Sequence, residues 1–184
     1  LSAIDMPALI ATARHGGSVV EVNLRVGGYI WENSPAINVY GAAPADAEKL
    51  QRGLIVAEER TLTQDPAFAI RAIVDIAIRA LSPAVNDPTT ASQALDVLEP
   101  LLHRLAHRDL GAGYIHDDDG ALRVIHHAPD WKDLIDLALT EIRYYGAGAI
   151  QVERRLKSLL LGLQKSCPPS RLPEVENHLA LLES

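Results

Sequence analysis

RTLTQDPAFAIRAIVDIAIRALSPAVNDPTTA, residues 60–91, is the stretch that decides the fold. On a helical wheel Ile70, Ile73, Val74, Ala77, Ile78 and Leu81 cover one side, and Ala69, Ala72, Ile76 and Ala80 cover most of the other. Only Arg71, Asp75 and Arg79 are polar there. Asp65-Pro66 opens this helix, since Asp accepts from free amides and Pro lacks the amide hydrogen that a first turn cannot use. Ser82 stands before Pro83, which disfavours helical geometry and ends the helix near Leu81. Asp87-Pro88 repeats the start signal. Leu95, Leu98, Leu101, Leu102 and Leu105 then line one face of the next helix, which Pro100 is expected to kink rather than end.

Working outward, Asp5 is a candidate cap for a short helix over about Met6 to Arg14, stopped by Gly16 and Gly17. Val20, Val22, Leu24 and Val26 alternate with Val19, Glu21, Asn23 and Arg25 as a half-buried strand does. Tyr29 to Glu32 and Ala36 to Tyr40 read as two further strands, separated by Gly27-Gly28 and Asn33-Ser34-Pro35 turns. From Ala45 the period changes to that of an amphipathic helix reaching about Arg60. Tyr114 to His116 and Leu122 to His126 form a hairpin around an Asp-Gly turn. Asp130 caps a helix ended by Gly146-Ala147-Gly148, a long helix spans about Ile150 to Lys165, and Leu172 to Leu182 closes the chain after Pro168-Pro169. The fold class is α+β, mostly α: a short helix and small antiparallel β unit over residues 1–44, then a helical domain over 45–184 with a β-hairpin near 114–126.

The composition narrows the function. Seventeen Lys and Arg stand against 24 Asp and Glu, a net charge of −7, so an electrostatic grip on phosphate backbones is disfavoured and nucleic acid is not an expected partner. Cys167 is the single cysteine, which rules out an intrachain disulfide or a CxxC zinc site and fits a reducing compartment. No run approaches the roughly 18 apolar residues of a membrane span, and no signal segment opens the chain. The first residue is not Met, which leads us to expect a domain whose natural N-terminal portion lies outside this sequence.

The polar residues of the opening stretch are the candidate binding set. Arg71, Asp75 and Arg79 read either as an ion-pair ladder on a solvated edge or as a stripe facing a groove or interface. Because a helix apolar nearly all round is expected to be buried, the stripe should meet an internal groove or a polar neighbour. Asn86, Asp87, Thr89 and Thr90 sit at a helix start, where free amides receive anions, although Asp87 as cap competes for those amides. Glu141, Arg143 and Tyr144 lie off the apolar face of the Trp131 helix, and Glu141 can pair with Arg71 or Arg79 if the helices pack. His103 and His107 are spaced i,i+4 but lack the rest of a zinc motif, and the Asp117 to Asp119 triplet lacks the order of a calcium loop. No metal and no cofactor is implied, and no common nucleophile motif is present.

Residues 60–91, together with Ile135-Asp136-Leu137-Ala138 and Glu141-Ile142-Arg143-Tyr144-Tyr145-Gly146, resemble the soluble C-terminal region of a bacterial family of predicted membrane proteins, domain-of-unknown-function family 2254. The resemblance runs from Ala3 through about Leu160. It implies membrane helices ahead of this region, a place at the bacterial inner membrane with this domain on the cytoplasmic side, and no particular activity. The expectation is therefore an assembly or regulatory domain that recognises a partner subunit, such as a second copy in a homo-oligomer, or a small anionic ligand. The alternative is an enzyme acting on a small anionic substrate, with Asp75 or Glu141 as general base and the two arginines as the anion clamp.

Overall fold

The computed structural model describes residues 1–28, 30–41, 46–56, 66–111 and 113–183. The chain divides into two compact units, residues 1–68 with 111–128, and residues 69–110 with 129–184. As the sequence suggests, the protein is mostly helical with a minority of β structure.

The first unit opens with β1 (Ala3–Ile4) and α1 (Met6–His15), whose cap Asp5 accepts from the Ala8 amide at 3.1 Å. β2 (Val19–Val22) and β3 (Ile37–Tyr40) pair antiparallel, Val19 opposite Tyr40. Strand alternation does the sorting: Val20 and Val22 are fully buried, whereas Glu21 accepts from the Tyr40 hydroxyl at 2.7 Å and the Asn38 amide at 3.1 Å. The strand expected over Tyr29 to Glu32 does not form in the described part, Ile30 to Glu32, and Tyr29 itself lies outside the described residues. Gly27 and Gly28 are engaged elsewhere, the Gly27 amide donating to Leu1 O at 2.8 Å and Leu1 N donating to Gly28 O at 2.9 Å. Asn33 takes up a left-handed turn at φ +65°, which short polar side chains tolerate.

Of the helix expected from Ala45 to about Arg60, the described part forms α2 (Ala47–Arg52) and leaves helical geometry before Leu54, while Ala45 and residues 57–60 lie outside the described residues. At Gly53 a Cβ would stand 2.6 Å from Leu9 Cδ2, so a larger residue would make the Leu9 side chain shift, and the chain then leaves the helix as β4 (Leu54–Ile55). β4 pairs antiparallel with β1, Ile4 opposite Leu54. β5 (Tyr114–His116) and β6 (Leu122–His126) form the expected hairpin, closed by Asp117, which accepts from the Ala121 amide and from Arg123 Nε. β6 lies parallel to β2, giving the sheet order β3-β2-β6-β5. The hairpin thus belongs to the N-terminal strands rather than to the helices that flank it in sequence, and α2 lies in the same unit. Leu9, Ala13, Val20, Val22, Leu50 and Val124 form the unit's core.

The second unit takes α3 (Pro66–Ala80) from Ala69 onward, then α4 (Pro88–Ala106), α5 (Trp131–Tyr145), α6 (Ile150–Ser166), a short 3-10 turn (Pro169–Arg171) and α7 (Leu172–Glu183). α4 runs unbroken through Pro100. Asp130 and Asp133 close a reciprocal capping box at the start of α5, and Trp131, 1% exposed, donates its indole N–H to Arg171 O at 3.1 Å. Leu95, Leu98 and Leu102 of α4, Leu134, Ile135 and Leu139 of α5, and Leu156, Leu159 and Leu163 of α6 are buried. α3 is not buried all round. Ile70, Val74 and Ala77 are fully buried and Ala80 is buried too, but Ala72 and Ile76 are exposed, so the middle of the second apolar face meets solvent. Asp65, expected to cap α3, lies outside the described residues.

Candidate polar site on the second unit

α3 and α5 bring together three of the sequence-derived candidates. The Arg71 guanidinium grips the Glu141 carboxylate with both terminal nitrogens, Nη1 to Oε1 and Nη2 to Oε2, the latter at 3.1 Å. Nη2 also meets Asp75 Oδ1 at 2.7 Å, one turn along its own helix. A planar fork suits a carboxylate in this way, and the ionised pair strengthens both bonds. Hydrogen bonding to Glu141 first, and Asp75 after it, holds the Arg71 charge more firmly than usual, while the same bond keeps the Glu141 carboxyl below its ordinary range. The set is half-buried, with side-chain exposures of 33% for Arg71, 46% for Asp75 and 39% for Glu141.

Arg79 lies one turn beyond Asp75, is exposed, and has no carboxylate partner among the described residues. It lines an open cavity of about 370 Å³ with Asp75, Ile78, Ser82, Pro83 and Tyr145. The Ser82 hydroxyl is already engaged, donating to Arg79 O at 2.8 Å. Tyr145 stands edge-on to Tyr144, ring centroids 5.3 Å apart and planes at 89°, so the 74%-exposed Tyr144 touches the site through its neighbour. Ser82, Pro83 and Tyr145 were not among the candidates. Tyr145 follows the apolar spacing of α5 and hid there.

The remaining candidates have other work. Asn86 adopts φ +48° and donates its amide to Ser82 O at 2.9 Å, and the Asp87 amide reaches back to Ala80 O at 2.8 Å, so this turn satisfies the end of α3. Asp87 Oδ1 accepts from the Thr89 and Thr90 amides, each at 3.1 Å, and Oδ2 accepts from the Thr90 hydroxyl at 2.5 Å. That hydroxyl, then the amides, hold the Asp87 carboxyl below its ordinary range. The amides that would receive an anion at the start of α4 are filled by the chain's own carboxylate. Arg143 faces the other way, donating to Leu181 O of α7 at 3.3 Å. Near it His178, 2% exposed, meets Asp136 Oδ1 at 2.9 Å, a contact between α5 and α7 with no sequence signal.

A larger cavity of about 620 Å³ lies in the first unit, lined by Pro7, Ile10, Arg14, His15, His116 and Asp117 among others. Its one guanidinium, Arg14, is already paired with Asp119 at 2.6 Å and Asp117 with Arg123 at 2.7 Å, while Asp118 adds a further carboxyl, so the cavity offers an anion no spare guanidinium. Size therefore does not make it the better site. His103 bonds the Ser166 hydroxyl at 2.8 Å and His107 bonds His103 O at 2.9 Å, and no group of three metal-ligating side chains occurs among the described residues.

The family model for predicted membrane proteins, DUF2254, matches residues 1–161. The chain belongs to that family. It is 35% identical over 157 residues to an uncharacterised protein of Mycobacterium bovis and equally to one of Mycobacterium tuberculosis, the match covering 84% of this chain and 30% of each relative. The chain thus spans about a third of the length of the relatives it matches. No solved structure matches it. Among the described residues no helix is long and apolar enough to cross a membrane. The site straddles nothing outside the matched segment, since Arg71, Asp75, Arg79 and Glu141 all precede residue 161.

Proposed function

We propose that this DUF2254 chain acts as an assembly or regulatory domain of a bacterial membrane protein, placed on the cytoplasmic side, and that it recognises an anionic group on a partner through Arg79. The observation that carries the reading is the contrast on one helix: Arg71 is held by two carboxylates, whereas Arg79, two turns on, makes no ion pair among the described residues and lines a cavity whose one carboxylate, Asp75, is taken by Arg71. An unpaired guanidinium beside apolar Ile78, Pro83 and Tyr145 offers a fork for a carboxylate and a wall that keeps water off part of the contact. Recognition fits better than turnover. Both candidate bases are engaged by the Arg71 guanidinium, Glu141 through two hydrogen bonds that also hold its carboxyl below the ordinary range, and Asp75 at 2.7 Å.

A photoreactive benzoylphenylalanine at Val85, 56% exposed in the turn that contains Ser82 and Pro83, tests the reading in cells producing the protein. A discrete adduct that disappears with Arg79→Glu is expected. Irradiation that gives no Arg79-dependent adduct would remove the recognition surface from consideration.

A further inference from the structure

The exposed side of α3 is organised. Ala72, Ile76 and Arg79 stand i, i+4 and i+7 apart and all are exposed, Ile76 by 54%, and beyond the helix end exposed Pro83 continues the ridge. That spacing is the seam along which one helix receives another, and small Ala72 permits close approach. Ile76 is the one large apolar side chain of this ridge that is exposed, and it stands opposite the buried Ile70, Val74 and Ala77 side of the helix.

Its charges say what fills it. Asp75 and Arg79 flank the level of Ala77, each about 3 Å from it along the axis at about 1.5 Å rise per residue. A second α3 running antiparallel about a twofold near that level brings Arg79 opposite the partner's Asp75, and Asp75 opposite the partner's Arg79, because an isologous contact is made twice. Ile76 then meets the partner's Ile76 at the axis, with Ala72 toward the partner's Pro83. A parallel pair would set arginine against arginine. Asp75 is free to accept a second cation, since nearly half its side chain is exposed and the ion pair described for it is with Arg71 alone. We infer that α3 is a homodimer seam, in which the anionic group met by Arg79 is Asp75 of a second copy. This rests on the recognition reading above and names its partner. Ile76, flanked by Ala72 and Pro83, supplies the apolar contact, and the charge pairs set direction and register. One helix per chain is at the small end of interface sizes, so association is weak in dilute solution and favoured where chains share a membrane.

The charge pattern gives a test that only a symmetric antiparallel pair passes. Sedimentation equilibrium of the 184-residue chain should show a concentration-dependent dimer. R79E sets two carboxylates opposite two carboxylates, and D75K sets cations opposite cations, so each alone should dimerise at least about tenfold more weakly. Mixed in equal amounts, the two restore both complementary pairs across one heterodimer and should recover the wild-type constant. As a check independent of charge, Ile76→Cys on a Cys167→Ser background should crosslink chain to chain. Wild-type chains that stay monomeric at millimolar concentration, single variants that dimerise normally, or a mixture without recovery each overturn the dimer. An Arg79-dependent adduct at Val85 of a mass other than twice the chain would overturn the dimer while leaving the recognition reading standing.

Discussion

Arg155 of α6 reaches Asp96 and Glu99 of α4, and Arg71 of α3 reaches Glu141 of α5 while holding Asp75, so each is one guanidinium between two carboxylates. The Arg155 side chain is 19% exposed and that of Arg71 33%. Around Arg155 the carboxylates belong to one helix and the arginine to another, which makes it a clamp between α4 and α6. Around Arg71 there is a further cation, Arg79, facing a cavity that the clamp does not fill. An ion-pair cluster does not by itself mark a site, because structural networks look the same. The uncommitted neighbour marks it.

The largest expected effect tests the clamp. Arg155→Ala leaves Asp96 and Glu99 facing α6 without their cation. It should cost about 2 kcal/mol, between the small value of exposed pairs and the 3–5 kcal/mol of fully buried ones. Urea unfolding with an unchanged slope is the measurement. Arg71→Ala, at the more exposed set, should cost about 1 kcal/mol. If the order were reversed, Arg71 would be the principal structural clamp and the contrast between the two clusters would fail.

Acid sharpens the same contrast. With its folded pKa below the unfolded value of about 4.3, Glu141 binds fewer protons folded than unfolded in the interval between them. Its contribution is therefore complete above about pH 4.3 and is lost as pH falls through the folded value. Glu141→Gln should flatten that part of the stability curve relative to wild type and leave the neutral-pH branch parallel. Equal acid slopes in the two proteins would show that the Arg71–Glu141 pair adds nothing to the fold.

What could be read in advance follows from how local each determinant is. The caps Asp5, Asp87 and Asp130, the Asp-Gly hairpin and the end of α3 before Pro83 are set by residues within a turn of one another, and each forms where its signal stands. The pairing of β1 with β4 and of β2 with β6 joins segments far apart in sequence, and two-residue strands carry no period to read. α2 gives way after Gly53 to β4, whose partner β1 is about 50 residues away, a pairing no window around Gly53 contains. At the site, Asp75 was visible as the i+4 partner of Arg71 and Glu141 as an eligible one, but only packing decides that Glu141 takes Arg71 rather than Arg79. Arg155 was invisible for the same reason: its partners are 56 and 59 residues away.

The smallest expected effect bears most directly on the site. Arg79→Ala removes an exposed side chain that holds no carboxylate among the described residues, so unfolding free energy should stay within about 0.5 kcal/mol of wild type. A stability loss as large as that of Arg71→Ala would mean that Arg79 already has a structural partner, and the spare cation on which recognition rests would not exist. A neutral result joined to loss of the Val85 adduct separates the two arginines cleanly. Residues eight positions apart on one helix would then divide the work, Arg71 fixing α3 to α5 and Arg79 presenting its charge to whatever the ridge receives.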